Sequence, residues 1–374
     1  MTPAAPLHVV LVGPLPPPFG GMANQTRQLA ELLRGAAVVV DVVATNAPYR
    51  PAWAGRIPVV RALFRLLPYI WSLRRVTRHG RVVHVMANSG WSWHLFAAPA
   101  VLVAVSRGVP VIVNYRGGEA EAFMQKQSRW VLPVLRRANV LAVPSGFLEG
   151  VFARYGLDPV VVPNIVDLDR FEALTGERPA LPTGPHLVVT RNLEALYDNA
   201  TALRAFALVR ARWPNARLSV AGSGPELDAL RGEARRLGVA ASVSFTGRLD
   251  RDAMARLYAS AHVMLNPSRV DNTPNSILEA WASGVAVVST DAGGVPFLVD
   301  ANVNAVLVPP GDPQAMADAV LALLADPART ARLVEAGRRA ARRFAWPQVR
   351  PRWLELYRRL AGATGRVATI EAMR

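Results

Sequence analysis

The densest chemistry in the sequence lies in the run Asn266-Pro267-Ser268-Arg269-Val270-Asp271-Asn272-Thr273-Pro274-Asn275-Ser276-Ile277-Leu278-Glu279-Ala280-Trp281-Ala282-Ser283-Gly284. Its pattern predicts a strand, a loop and a short helix. The strand ends at Asn266, Thr273 is a good N-cap, and Pro274 suits the first helical position. Gly284 suits the position just past the helix end. The first amides of such a helix, around Asn275 to Ile277, have no intrahelical acceptor. Together with the helix dipole they form a seat for an anion such as a diphosphate. Asn275, Ser276, Glu279 and Ser283 fall on one face, and Ile277, Leu278 and Trp281 on the other. A carboxylate one turn inside an anion seat is poor electrostatics for phosphate alone. It is well placed to accept hydrogen bonds from the ribose hydroxyls of a nucleotide. Taken alone, Glu279 reads equally as a solvated residue on an ordinary capped helix; the whole run favours the nucleotide.

Two series of elements must position these residues. Short apolar, β-branched runs at His8–Val12, Val38–Val43, Val82–Met86, Val111–Asn114, Val140–Val143 and Val160–Val162 read as strands, with amphipathic helices between them. Strands without polar alternation are buried on both faces, as in a parallel sheet covered by helices. A second series follows the Pro/Gly-rich stretch 178–185, with strands from Leu187–Thr190 to Ala305–Val308 and helices including Pro274–Ser283. The fold class is therefore α/β, with two Rossmann-like, doubly wound domains, and the default ligand site is the crevice at the carboxyl ends of the strands. A length of 374 residues fits this, at about 150 residues per domain. The last segment, 329–360, is helical and basic, with Trp346, Trp353 and Tyr357 as apolar anchors.

Asp271, seven intervening residues, Glu279, and then Ala280-Trp281-Ala282-Ser283-Gly284 leading into an apolar strand resemble the signature of glycosyltransferase family 4 (group 1), retaining enzymes of GT-B fold. The usual first residue is Glu, so Asp271 is a conservative departure with a shorter reach. The resemblance covers nearly the whole chain. It implies an N-terminal domain on the acceptor side (1–175), a C-terminal domain on the nucleotide-sugar donor side (186–345), and a helical segment (346–374) that packs back on the N-terminal domain. Thr190-Arg191-Asn192 matches the place of an arginine that neutralises the diphosphate, and a guanidinium can grip a phosphate bidentately. The family's lysine about five residues on is absent, and Tyr197-Asp198-Asn199 occupies that region. Gly222 lies in the family's glycine turn, and Gly247 and Arg248 lie in the loop whose backbone reads the nucleobase. Gly20-Gly21 lies in the N-terminal loop that closes on the donor diphosphate or the acceptor. It lacks the G-x-G-x-x-G pattern of a dinucleotide enzyme. Asn272, Asn275, Ser276, Ile277 and Leu278 complete the expected donor-binding set. Asn114-Tyr115-Arg116-Gly117 stands where many relatives place a histidine beside the reacting sugar, which makes Arg116 the nearest polar candidate. Asp167-x-Asp169 in the Asn-Ile-Val-Asp hinge loop is read as structural and not as a metal site. His84 and His94 are read as satisfied core residues.

The resemblance implies transfer of a sugar from a nucleotide-diphosphate sugar to an acceptor hydroxyl with retention, in polysaccharide, lipopolysaccharide or glycolipid biosynthesis. Asp271, Glu279, Arg191 and Arg116 are the expected catalytic residues. A helix N-terminus and an arginine would stand in for a divalent metal, so no metal and no cofactor are expected. A GT-B-type epimerase shares this architecture, but no acid/base residues for epimerisation can be placed.

Composition sets further limits. Hydrophobic residues at 51% and charged residues at 19% exclude an intrinsically disordered chain. The absence of cysteine excludes thiol nucleophiles and Cys-ligated metals. The net charge of +16 is carried almost wholly by arginine, with Lys126 as the one lysine. The arginines are dispersed and no nucleic-acid motif accompanies them, so nucleic acid is not an expected partner. Their one concentration, residues 60–81, interleaves arginines with Phe64, Leu67, Tyr69, Ile70 and Trp71. This pattern suits an anionic membrane surface bearing a lipid-linked acceptor. It equally suits a pair of core helices broken at Pro68. No apolar run reaches the roughly 18 residues of a span, and 95–105 is cut off by Arg107. The N-terminus lacks a basic n-region. The expected location is cytoplasmic, peripheral at the inner face of the cell membrane.

Overall fold

The structure, a computed structural model, describes residues 6–17, 21–48, 58–78, 81–174 and 184–372, with backbone alone for 58–63 and 363–372. Gly20 and residues 178–183 of the expected linker lie outside the described residues. The chain forms two compact units, one of residues 1–163 with 350–374 and one of residues 164–349.

The first unit is built on β1 (His8–Gly13), α1 (Gly21–Gly35), β2 (Val39–Ala44), α2 (Pro58–Val76), β3 (Arg81–Ala87), α3 (Ala98–Ser106), β4 (Val111–Tyr115), α4 (Ala120–Leu135), β5 (Val140–Val143), α5 (Gly146–Ala153) and β6 (Val160–Val161). The six strands are parallel in the order β2-β1-β3-β4-β5-β6. Both faces of the sheet are covered, which explains strands that are apolar at nearly every position. Val83, Val85, Val113 and Tyr115 join one core with residues of α2, α3, α4 and α5. The alternate residues His84 and Asn114 face the other way and are fully buried.

One sequence expectation changes here. No helix break occurs at Pro68: α2 runs through it as one helix. Pro68 is exposed on the solvent side of α2, while Tyr69 and Leu73 turn into the core. Leu67 and Trp71 stay on the surface, with Arg75 over the Trp71 ring at 5.5 Å. The apolar run 95–105 forms a single π-helical turn, Trp93–Ala97, leading into α3. Among the described residues no helix is long and apolar enough to cross a membrane.

The second unit comprises α6 (Leu168–Glu172), β7 (His186–Val189), α7 (Asn199–Arg212), β8 (Arg217–Ala221), α8 (Leu227–Arg236), β9 (Val243–Gly247), α9 (Arg251–Ala259), β10 (Val263–Asn266), α10 (Asn275–Ala282), β11 (Ala286–Thr290), α11 (Val295–Leu298), β12 (Val306–Val308), α12 (Pro313–Ala325) and α13 (Pro327–Arg342). Its parallel sheet runs β12-β11-β10-β7-β8-β9. Leu187, Val189, Leu265 and Val288 pack on α7 and α12; Val188, Met264 and Val287 pack on the side of α9 and α10.

Residues 164–174 were expected in the first domain but belong to the second unit. The Val166 amide donates to the Phe344 carbonyl at 3.0 Å, and Phe171 meets Tyr258 edge-on at 5.9 Å. Asp167 caps α6 by accepting from the Arg170 amide and also pairs with Arg170 Nε at 3.0 Å. The final helix, α14 (Trp346–Ala372), joins the first unit from Arg350 on. There Trp353 and Tyr357 are fully buried, and Trp353 packs on the His84 ring at 4.7 Å.

Candidate active site

The expected donor residues of the second unit collect at the carboxyl ends of β7, β8, β9 and β10, and tight backbone contacts explain the glycines there. A Cβ on Gly222 would strike the Arg191 carbonyl, and one on Gly224 the Leu193 carbonyl. The Gly222 amide donates to Gly247 O at 2.9 Å, and Leu193 N donates to Ser223 O at 3.1 Å. The ends of β7, β8 and β9 are thereby stitched into one rim. Gly247 adopts φ +69°, a conformation suited to glycine. Arg248 is exposed and donates through Nε to Ser223 Oγ. Asn192 reaches Glu194 Oε1 at 3.1 Å.

Arg191 is the centre of this rim. Its Nη2 lies 2.6 Å from Asp271 Oδ2 and its Nη1 lies 3.3 Å from Ser276 Oγ. Its guanidinium lies 4.1 Å above the Tyr197 ring, a favourable cation–π geometry. In the region where the family's lysine is absent, therefore, an aromatic face supports the arginine. The neighbouring Asp198 binds Arg269 Nε at 2.8 Å and accepts from Thr201 Oγ1 at 2.9 Å, so a second guanidinium enters from the β10–α10 loop. Arg191 and Asp271 are both close to nine-tenths buried. Arg191 Nε is buried with no hydrogen-bond partner, a donor that a bound anion would satisfy.

The start of α10 differs from its sequence reading. Pro274, and not Thr273, occupies the N-cap, with no side-chain cap bond; Thr273 instead donates to Asn272 Oδ1 at 3.4 Å. The Ile277 amide, expected to be unpaired, donates to Pro274 O at 3.1 Å. Among the described residues no protein acceptor meets the Asn275 and Ser276 amides, and these remain as the anion seat. Ile277 and Leu278 are fully buried and anchor the helix by their side chains. Asn164, 111 residues upstream, locks the entry to α10 by donating to Thr273 O at 3.0 Å and Asn275 Oδ1 at 2.8 Å. Asp271 and Asn272 are held from the far side by Gly293 and Gly294, since the Gly294 amide donates to Asp271 O at 3.0 Å and a Cβ there would strike the Asn272 carbonyl.

Glu279 is half-buried one turn into α10, with Tyr258 OH 3.4 Å from Oε2. Burial pushes its carboxyl up to about 7, opposed by the Tyr258 hydrogen bond and by the charges of Arg251 and Arg191. Tyr258 also lies 2.6 Å from Thr190 Oγ1 and 3.1 Å from Ser276 O. It thus ties the end of β7 to α10. Sequence reading missed Tyr258 and Asn164 as site residues, because both act from elements remote in the chain. The described residues contain no group of three His, Asp or Glu side chains able to hold a metal.

Arg116 and Gly21 lie in the first unit. Gly21 opens α1 and is exposed. Arg116 follows β4, and its hydrogen bonds fix a directional chain. Arginine only donates, so its Nε, 3.1 Å away, must face the Asn114 oxygen. The Asn114 amide nitrogen therefore donates to His84 Nε2 at 3.0 Å, which leaves the His84 proton on Nδ1, donated to Tyr357 OH at 2.6 Å. Burial, helped by the Arg116 charge, pulls His84 down to about 3, so it stays neutral. Arg116 also donates through Nη1 to Gln25. Burial lowers the Arg116 guanidinium to about 10, which leaves it charged at neutral pH. His84 is the satisfied core residue the sequence suggested, and His94 bonds Gln127 at 2.6 Å.

Two family models match successive parts of the chain. "Glycosyltransferase Family 4" matches residues 19–170, and "Glycosyl transferases group 1" matches residues 184–326. A GDP-mannose-dependent alpha-(1-6)-phosphatidylinositol monomannoside mannosyltransferase of Mycolicibacterium smegmatis is 34% identical over 360 residues, covering 88% of this chain and 92% of that protein. A phosphatidyl-myo-inositol mannosyltransferase of Mycobacterium tuberculosis is 28% identical over 370 residues, covering 93% and 95%. Among solved structures, the sucrose-phosphate synthase of Thermosynechococcus elongatus superposes with a TM-score of 0.73 at 21% identity, over 96% of this chain and all of that one.

Proposed function

The chain belongs to the group 1, family 4 glycosyltransferases of GT-B fold, and from that premise we propose that it is a retaining, metal-independent mannosyltransferase that uses GDP-mannose and acts on an inositol-bearing lipid. The observation that carries this reading is the grouping of Arg191, Asp271 and Ser276 at the mouth of α10, with Glu279 one turn behind. Guanosine and mannose come from the named relatives. The alpha linkage printed in that relative's name supports retention, since the anomeric bond of GDP-mannose is itself α.

In this reading the diphosphate leaves onto the Asn275 and Ser276 amides and the Arg191 guanidinium. Donors already aimed at the developing charge stabilise it without reorganisation. Glu279 accepts hydrogen bonds from the ribose hydroxyls. Asp271 orients Arg191 and faces the donor sugar, and Gly222 and Gly247 admit the nucleotide to the rim. No nucleophilic side chain is assigned; the departing phosphate takes the proton of the attacking hydroxyl on the same face of the sugar. Arg116, with Gln25 and Asn114 behind it, serves the acceptor. The face of α2 bearing Leu67, Trp71, Arg74 and Arg75 rests on anionic lipid, giving peripheral attachment to the membrane.

A thermal-shift series with GDP, UDP, ADP and dTDP tests the donor. Stabilisation by GDP alone among the four supports the reading, and equal or no response to GDP overturns it. Turnover of GDP-mannose with phosphatidylinositol, unchanged by chelator and giving an α-mannoside, tests the remaining steps. Loss of turnover on chelation, with recovery on adding magnesium or manganese, would refute metal independence.

A further inference from the structure

The opposite end of α10 borders a second site. At the amino ends of the strands in the second unit lies a cavity of about 370 Å³, walled by Leu323 and Leu324 of α12 and Val334 of α13, with His262, Thr330, Glu335 and Arg338 at its polar side. This volume falls in the range of small-molecule sites. Arg338 is half-buried, and among the described residues its guanidinium has neither a hydrogen bond nor an ion pair. It lies flat on Gly284, where a Cβ would sit 2.6 Å from Cζ. Gly284, at φ +63°, closes α10: its amide donates to Trp281 O at 3.0 Å, and the Val285 amide donates to Ala280 O at 2.8 Å. The partial negative charge of the helix end favours a cation there but leaves the guanidinium's N–H groups without acceptors. His262 Nδ1 accepts the His186 amide at 3.0 Å, so the ring proton is on Nε2. The site thus combines an apolar wall with one guanidinium that no acceptor among the described residues meets, beside Glu335, whose carboxylate is turned to Arg339 at 3.4 Å.

We propose that this cavity binds an anionic amphiphile, with a phosphate or carboxylate on Arg338 and an alkyl body along Leu323, Leu324 and Val334. The occupant would also be felt at the nucleotide site. Gly284 ends the helix that carries Ser276 and Glu279. Gly337, next to Arg338, packs so closely on Trp281 of α10 that a Cβ there would lie 2.5 Å from Trp281 Cδ1. A ligand that shifts α13 therefore shifts α10, and the coupling is reciprocal.

Calorimetric titration of the full chain with octyl phosphate tests this, with octanoate, inorganic phosphate and 1-octanol as comparison probes. Octyl phosphate or octanoate should saturate one site at least about tenfold more tightly than either phosphate or octanol, and whichever of the two binds tighter identifies the head group. R338Q should weaken that binding about tenfold, and V334S should weaken it without changing the response to inorganic phosphate. Both variants should melt as the parent does. In the presence of the amphiphile the affinity for GDP should change at least threefold. No saturable binding below 1 mM, equal binding by R338Q, or equal binding of octanol overturns the site; an unchanged GDP affinity overturns the coupling. A chain that does not bind GDP at all would refute the donor assignment while leaving the amphiphile titration readable.

Discussion

Arg191 and Asp271, 80 residues apart in sequence, form a 2.6 Å ion pair at the mouth of α10. The cation expected to meet a departing diphosphate is thus already held by a carboxylate, with its Nε still unsatisfied. Donor binding must then share Arg191 between Asp271 and phosphate. D271N should bind GDP more tightly than the parent, because the arginine's charge is released, and yet turn over GDP-mannose at least about tenfold more slowly, since the guanidinium and sugar lose their fixed orientation. R191A should lower kcat/KM by about 10²-fold. It should also destabilise the chain by about 3 kcal/mol, because a buried carboxylate loses its partner. Titration calorimetry, initial rates and denaturant melts distinguish these effects, and weaker GDP binding by D271N would contradict the sharing.

Glu279 predicts a pH dependence. Its carboxyl is raised to about 7 by burial, so it is mostly neutral at pH 6 and mostly ionised at pH 8. The ionised form is the better acceptor for ribose hydroxyls. GDP-mannose affinity should therefore rise between pH 6 and pH 8, and E279Q should bind weakly with a flat profile. The phosphates of a nucleotide sugar stay ionised over this range, so the change belongs to the protein. A parent profile that is flat or falls with pH would remove Glu279 from the ribose.

The chain from Tyr357 to Arg116 makes a third prediction. In Y357F the buried Nδ1–H of His84 loses its acceptor, an expected cost of about 1–3 kcal/mol. If the network orients Arg116 for the acceptor, KM for phosphatidylinositol rises while GDP affinity stays constant. A lower melting temperature with unchanged acceptor KM would mark the network as structural only.

The exposed face of α2 gives a fourth. The parent should co-sediment with vesicles containing phosphatidylglycerol and not with neutral phosphatidylcholine. The combined variant W71S, R74E and R75E should lose at least about tenfold in that partition, while keeping turnover of a short-chain soluble acceptor. Equal binding to both vesicle types would refute an electrostatic docking face.

How much of this was legible in the sequence follows from how local each signal is. Runs such as Val111–Tyr115 and Val263–Asn266 declare themselves because strands buried on both faces are apolar throughout. The Asp271–Glu279 spacing is equally local, and the helix it predicts is observed as α10. Signals that depend on distant partners were silent. Nothing near Asp271 says that Arg191 closes on it, and nothing near Glu279 announces Tyr258. The Asn164–Leu174 segment was placed with the preceding strands because it follows them; only the bonds of Val166 to Phe344 and the contact of Phe171 with Tyr258 reveal its true neighbours. Pro68 suggested a break, but whether a proline ends a helix depends on which side faces water. Thr273 looked the better cap, but Asn164 holds its carbonyl, and the loop turns at Pro274 instead.

The return of α14 to the first unit carries a practical consequence. Trp353 and Tyr357 complete the core around His84, so the amino-terminal body remains unfinished until α14 has been synthesised. A fragment ending near residue 163 would expose that face and aggregate. Separate production of the first unit calls for residues 350–374 grafted on by a tether, whereas 164–349 can be excised as one uninterrupted piece.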